Sequence, residues 1–197
     1  LGEMWKGGGQ GCKNLIAVTL GTGVGGGIIV NGEILTGAVG AVGEIGHMHV
    51  EDNETECSGC GNTGCLEEYA SATGVVRLAR RALRSCEDPS VLRNVPEEKL
   101  SAKKVFDAVK DGDDLAVKIA EQFGEYLGKG LGVVASIINP EVIVIGGGVS
   151  KAGKILFEYI SPYFYKTVFR GSSDVKFALA TLGNDAGIYG AARLVLE

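Results

Sequence analysis

The chain has 197 residues, enough for one substantial domain, and 45% of them are apolar, enough to fill a core. Its 19 basic residues are outnumbered by 24 acidic ones and no basic stretch is laced with aromatics, so the net charge of −5 argues against nucleic acid or an anionic membrane as a partner. No apolar run approaches the ~18 residues of a membrane-spanning helix and no signal-peptide pattern opens the chain, which predicts a soluble cytoplasmic protein.

Leu1, Gly2, Glu3, Met4 and Trp5 read as the end of an amphipathic helix entering a loop of Gly7, Gly8, Gly9 and Gly11; without an initial methionine, the chain reads as a piece of a longer protein. The apolar, β-branched run at 15–20 predicts a buried strand. A glycine turn over 21–27 follows, then a strand at 28–30. Asn31-Gly32 is a strong hairpin signal, because both central positions of a type I′ turn take positive φ. A strand at 33–36 closes the meander. One helix is predicted over 66–83, ending in a polar loop that carries Pro89 and Pro96. Ser101 can cap a short helix with Val105, Phe106 and Val109 on one face, stopped near Gly112. Leu115, Ile119, Phe123, Leu127 and Leu131 predict a longer helix that continues to Ile138 and ends at Asn139-Pro140. Its glycines at 124, 128, 130 and 132 cost about 1 kcal/mol each relative to alanine, which close packing of another backbone would explain. An apolar strand at 142–145 runs into Gly146, Gly147 and Gly148. A helix near 154–164, a strand at 175–180 and a last helix at 185–196 complete the chain.

Between the hairpin and the first long helix stand His47, Cys57, Cys60 and Cys65, with Glu44 before them and Glu67 after. One imidazole and three thiolates make up the closed tetrahedral ligand set of structural zinc sites. Gly59, Gly61 and Gly64 let the backbone turn tightly enough for the sulfurs to converge. Five cysteines are an awkward number for a disulfide framework, and three of them within nine positions beside a histidine fit thiolates on a metal better than oxidised pairs. Cys12 and Cys86 read as ordinary semi-buried thiols, and Cys86, in a polar stretch, reads equally as an exposed, inert one. His49 would share the face of His47 in a strand and competes with it as the ligand.

Gly21, Thr22 and Gly23 join two strands. Amides in a tight glycine turn point at one spot where an anion can sit, and Thr22 adds a hydroxyl donor. Gly146, Gly147 and Gly148 follow a parallel-type strand, where ligands bind outside the carboxyl ends. Taken singly, these turns admit blander readings, a plain hairpin and a sharp strand-to-helix turn. Glu44, Glu67 and Glu68, taken singly, read as solvated surface charges.

Three antiparallel strands followed by helix, strand, helix, strand, helix is the order of the ribonuclease-H-like module that actin, hexokinase and the heat-shock chaperone ATPases carry in duplicate. L-G-T-G-V-G-G-G, G-A-V-G-A-V-G-E-I-G-H, the cysteine cluster with L-E after it, I-N-P-E-V-I-V-I-G-G-G and G-N-D-A-G-I-Y-G-A-A stand in that sequence. Through these strings the whole chain resembles the C-terminal part of the ROK-family sugar kinases (repressor, open reading frame, kinase), bacterial glucokinases above all. The resemblance implies an α/β, actin-like ATPase domain of hexokinase type over 1–197, with a zinc-binding insertion at 44–67 and an N-terminal domain outside this chain. It implies that Gly21, Thr22 and Gly23, with Gly146, Gly147 and Gly148, clasp the phosphates of ATP, with Mg²⁺ as its companion, and that Gly187 borders the adenine. The residues matching Glu44, His47 and Glu67 hydrogen-bond the sugar in that family, and the histidine also ligates zinc. His47 is preferred to His49 because it follows Glu44 as in the family; Glu68 keeps its surface reading.

The implied activity of the full-length protein is transfer of the γ-phosphate of ATP to the 6-hydroxyl of glucose, by a cytoplasmic homo-oligomer. Kinases for fructose, N-acetylglucosamine or N-acetylmannosamine, and sugar-sensing ROK repressors with an N-terminal helix-turn-helix, are the alternatives. Two departures stand out. The family cluster begins C-x-C, whereas two residues separate Cys57 from Cys60. The family's general-base aspartate, in an N-D-A-N string, falls just before the segment matching Leu1, so no catalytic residue is expected here and the chain alone is expected to be inactive. Asn184-Asp185 belongs to the adenine-side motif and does not supply the base.

Overall fold

The structure, a computed structural model, describes residues 1–56 and 59–196. A short helix α1 (Gly2–Lys6) precedes a meander of β1 (Leu15–Leu20), β2 (Val24–Val30) and β3 (Glu33–Ile34). Asn31 and Gly32 take φ of 55° and 86°, as the hairpin signal predicts. β2 begins four residues before the expected start. Only residues 21–23 turn, and Gly25, Gly26 and Gly27 pair with Thr19, Val18 and Ala17. The reason lies across the strand. A Cβ on Gly26 would sit 2.5 Å from the Gly43 carbonyl oxygen, and one on Gly46 would sit 2.2 Å from that of Val24. Glycine here serves backbone-on-backbone packing of the 43–46 loop against β2.

The single helix expected over 66–83 is two helices, α2 (Glu67–Ala70) and α3 (Ala72–Ser85). Buried Ser71 swings to extended backbone at ψ 172° and caps α3, its hydroxyl accepting from Gly74 N–H at 2.9 Å. A local cap thus overrides a continuous apolar period. α4 (Ala102–Lys110) starts at the expected Ser101 cap. α5 (Asp114–Ile138) starts at Asp113 and ends at Asn139, which takes left-handed backbone at φ 52°. β4 (Val142–Gly146), α6 (Ile155–Thr167), β5 (Lys176–Leu179) and α7 (Ala186–Val195) follow.

The sheet runs β3-β2-β1-β4-β5, antiparallel from β3 to β1 and parallel from β1 to β5. This is the mixed sheet of the actin-like, hexokinase-type α/β fold. Alternation along the strands divides the core. Ile16, Val18, Ile143 and Ile145 face the large cluster with Phe123, Leu127 and Leu131 of α5, while Leu15, Ile29, Val142 and Val144 face the opposite side, with Leu1 and Met4 packed on them. The glycines of α5 meet the expectation of close packing. A Cβ on Gly124 would lie 2.3 Å from the Tyr159 carbonyl oxygen and one on Gly128 2.4 Å from that of Ile160, so α5 and α6 touch through their backbones. Gly130 differs, facing the side chain of Leu66. Among the described residues no helix is long and apolar enough to cross a membrane.

Candidate functional site

β1 and β4 lie side by side and parallel, so their carboxyl ends deliver two turns to one place. Thr19 pairs with Gly146, the last residue of β4. Gly147 has φ 85°, and a Cβ on it would sit 2.5 Å from the Leu20 carbonyl oxygen. Only glycine fits there. Gly21 follows Leu20 directly, and its N–H donates to the Gly23 carbonyl at 3.0 Å. Added Cβ atoms on Gly21 and Gly148 would meet open space, which leaves both turns approachable. β5 extends the row, for Ala180 N–H donates to the Ile145 carbonyl at 2.8 Å and the chain then leads into α7, where Gly187 is exposed. The three segments singled out for nucleotide therefore stand along the carboxyl edge of the parallel strands, where α/β sheets take ligands. Glu3, unmarked by any motif, is buried beside them. Its carboxylate accepts from the N–H groups of Gly8 at 2.8 Å, Thr181 at 3.1 Å and Leu182 at 2.9 Å, tying α1 to the chain before α7.

Val24, the first residue of β2, joins the other half of the site. Its N–H donates to Glu67 Oε2 at 3.0 Å, while its carbonyl faces Gly46. Glu67 and the loop carrying Glu44 and His47 therefore flank one residue at the mouth of the glycine turn. Glu44 Oε2 and His47 Nε2 lie 3.7 Å apart, with side chains 64% and 41% exposed, on a single 3₁₀ turn, Ile45–His47. Glu67 is not a solvated charge, since it is half-buried and bound to backbone. Thr22, Glu67, Ser71 and Thr73 line a cavity of about 350 Å³. A larger cavity of about 890 Å³ lies between the 48–51 segment, α3 and α5, and contains none of the residues singled out for sugar or nucleotide.

The metal-type side chains also converge. The ligand atoms of His47, Cys60 and Cys65 lie within 4.8 Å of one another, and the two sulfurs are 3.6 Å apart. Tetrahedral zinc with Zn–S near 2.3 Å sets its sulfurs about 3.8 Å apart, so these donors fit zinc; a disulfide would bring them to about 2.05 Å. Cys57, the remaining expected ligand, lies outside the described residues. His49 points elsewhere. Its Nε2 meets Asp52 Oδ1 at 2.8 Å and its Nδ1 the Thr63 carbonyl at 3.1 Å, and the Asp52 hydrogen bond raises its pKa above the ordinary value.

Behind the cysteine segment sits a charged cluster. Glu54, with a side chain only 4% exposed, accepts from Arg81 at 2.9 and 3.1 Å, from the Tyr69 hydroxyl at 2.7 Å and from the N–H groups of Thr55 and Glu56. Arg77 lies 2.9 Å from the same carboxylate and 2.8 Å from both Glu56 and Glu68. The Arg81 hydrogen bonds hold the Glu54 carboxyl down at about 2, although burial pulls the other way. Burial, with help from Glu54, pushes the Tyr69 hydroxyl far above its ordinary value. Glu68 corrects its surface reading, because its side chain is 8% exposed, paired with Arg77, and accepts from Cys65 N–H at 3.1 Å. Its desolvation is compensated by Arg77, nine residues on, and by the Cys65 amide, three residues back. Arg77 and Arg81, four residues apart on one face of α3, were the one visible signal for this cluster. Tyr69 also stacks on Tyr126 at 4.1 Å, which joins α2 to α5. Cys12 and Cys86 are half-buried, as expected.

The whole chain, residues 1–197, matches the ROK family. In an alignment of 199 residues it is 45% identical to a glucokinase of Halalkalibacterium halodurans, covering all of this chain and 60% of that protein. It superposes on the ROK family glucokinase from Streptomyces griseus, solved in complex with glucose and AMPPNP, with a TM-score of 0.86 at 34% identity, over 98% of this chain and 64% of that one. It is also 36% identical, over 81% of its length, to the DNA-binding transcriptional dual regulator NagC of Escherichia coli, of which it covers 38%. The chain thus spans less than two thirds of each of these relatives. A family match over all 197 residues, 45% identity to one relative across the whole chain and a superposition at TM-score 0.86 on another leave one conclusion: the chain belongs to the ROK family.

Proposed function

We propose that this chain is the C-terminal domain of an ATP-dependent hexose kinase whose full-length form transfers the γ-phosphate of ATP to the 6-hydroxyl of glucose. The observation that carries this reading is the hydrogen bond from Val24 N–H to Glu67. It seats a carboxylate of the expected sugar set directly on the expected phosphate turn, so a sugar held by one and a phosphate held by the other are neighbours. Phosphoryl transfer asks the protein mainly for such positioning and for neutralisation of charge. Glu44, His47 and Glu67 would orient the sugar hydroxyls. Amides of the turns at 21–23 and 146–148 would hold the phosphates, with Mg²⁺ bound to ATP, and Gly187 would border the adenine. His47, Cys60, Cys65 and Cys57 would hold zinc, which would lock the loop bearing His47. The general base belongs to the segment preceding Leu1 in the full-length protein.

Coupled assays on the full-length protein with glucose, fructose, N-acetylglucosamine and N-acetylmannosamine test the substrate, with glucose expected to give the highest kcat/KM. Glu67→Gln should lower kcat/KM for glucose about 10- to 150-fold, the equivalent of a charged hydrogen bond of roughly 1.5–3 kcal/mol; unchanged kinetics would remove Glu67 from the sugar set. The chain alone should not turn over, since loss of a general base costs roughly 10²–10⁴-fold. Elemental analysis should find about one zinc per chain, and a well-folded metal-free preparation would end the zinc reading. The similarity to NagC keeps a sugar-sensing repressor in view, and the intact glycine turns speak for the kinase. A full-length protein that phosphorylates no hexose yet releases DNA on binding sugar would establish the repressor.

A further inference from the structure

The turn at 21–23 is clamped from behind. Ala72 N–H donates to the Gly21 carbonyl at 2.8 Å, the Thr73 hydroxyl donates to the Thr22 carbonyl at 2.8 Å, and Glu67 accepts from Val24 N–H at 3.0 Å. Ala72 and Thr73 are themselves fixed, because buried Ser71 caps α3 immediately before them. A trans peptide is planar and sets its carbonyl and the following N–H in opposite directions. Drawing the Gly21 and Thr22 carbonyls toward α3 therefore turns the N–H groups of Thr22 and Gly23 away from it, out of the turn. Left to itself, a glycine-rich turn would sample many peptide orientations.

We infer that Thr73 is a positioning residue for nucleotide, acting through the Thr22 carbonyl to aim the Gly23 N–H at a phosphate. The inference rests on the reading of this turn as a phosphate site. Of the three clamps, Thr73 is the one a substitution can isolate. Ala72 acts through its backbone and Glu67 belongs to the sugar set, whereas Thr73 is exposed and bonds through its side-chain hydroxyl alone. Thr73→Val keeps the shape and removes the donor, and Thr73→Ser restores it.

The experiment measures affinity for ADP and AMPPNP by direct titration of the full-length protein, alongside KM for ATP and for glucose and the melting temperature. Thr73→Val should weaken nucleotide binding and raise KM for ATP about 3- to 10-fold, the size of one neutral hydrogen bond, with KM for glucose and the melting temperature unchanged. Thr73→Ser should return nucleotide affinity to the wild-type value. Unchanged nucleotide affinity in Thr73→Val, an equal loss for glucose and nucleotide, or failure of Thr73→Ser to restore binding would each overturn the assignment. If the wild-type protein binds nucleotide but phosphorylates no hexose, the kinase reading fails while the titrations still decide the role of Thr73. A wild-type protein that binds no nucleotide overturns both.

Discussion

The two halves of the candidate site are made of different materials. The side proposed for nucleotide is backbone and glycine, its turns pressed on neighbouring main chain at Gly147 and Leu20 and clamped by hydrogen bonds at Gly21 and Thr22. The side proposed for metal is held by charged side chains, with Glu54 and Glu68 drawn into the interior by Arg77 and Arg81. The first is limited by space and should be nearly indifferent to pH; the second depends on charge and on the ionisation of a carboxylate. A single methyl group can disable one, and a single proton can loosen the other.

The sharpest way to break this contrast is at Gly147. Alanine there must adopt φ 85° with its Cβ 2.5 Å from the Leu20 carbonyl oxygen. Backbone strain and overpacking together should cost about 4 kcal/mol in urea denaturation. Gly21→Ala and Gly148→Ala, whose methyl groups meet open space, should stay within about 0.5 kcal/mol of wild type. If all three variants behaved alike, steric limits would not govern this side. Gly23 is a poor probe of the phosphate turn alone, since its Cβ would lie 2.0 Å from Glu67 Oε2 and disturb that glutamate together with the turn.

On the charged side, Glu54→Gln leaves Arg77 and Arg81 facing a neutral group and should cost about 3 kcal/mol at neutral pH. The pH dependence has a definite sign. The Glu54 carboxyl is lowered from 4.5 to about 2, so its contribution is complete above about 4.5 and fades as pH falls toward 2. The melting temperature of the wild type should fall across that window, and the gap between wild type and Glu54→Gln should close with it. A gap that stayed constant between neutral pH and about 2 would mean that the cluster stabilises by packing alone.

The smallest contrast lies within α5. Gly124→Ala drives a methyl group against the Tyr159 carbonyl oxygen and should cost about 2 kcal/mol. At Gly130 the new methyl would meet only the tip of Leu66, 3.1 Å away, and the gain in helix propensity of about 1 kcal/mol should bring the net change near zero. Equal losses at the two positions in denaturant titrations would show that the glycines matter for something other than the contact with α6.

Sequence by itself determined whatever depends on neighbours along the chain. Asn31-Gly32 required its turn, Ser101 its helix start, the four-residue spacing of Leu115 to Leu131 its buried face, and the strand and helix order its mixed sheet. The glycines of α5 announced a close partner without naming α6. The crowding of His47, Cys60 and Cys65 was legible for the same reason, since they fall within nineteen positions and their residue types share one chemistry. The break at Ser71 and the turn of His49 to Asp52 rest on partners only three residues along the chain, but tertiary structure alone decided that Gly25, Gly26 and Gly27 are strand. It also decided the fate of each carboxylate. Glu3, Glu54, Glu67 and Glu68 carry the same group as any surface glutamate, and what separates them is the partner that compensates their desolvation: the Thr181 and Leu182 amides, the Arg81 guanidinium, the Val24 amide and Arg77. Most of those partners lie tens of residues or more away, and a pairing energy that exists only when two groups share a low-dielectric site leaves no periodicity in the chain for a reader to find.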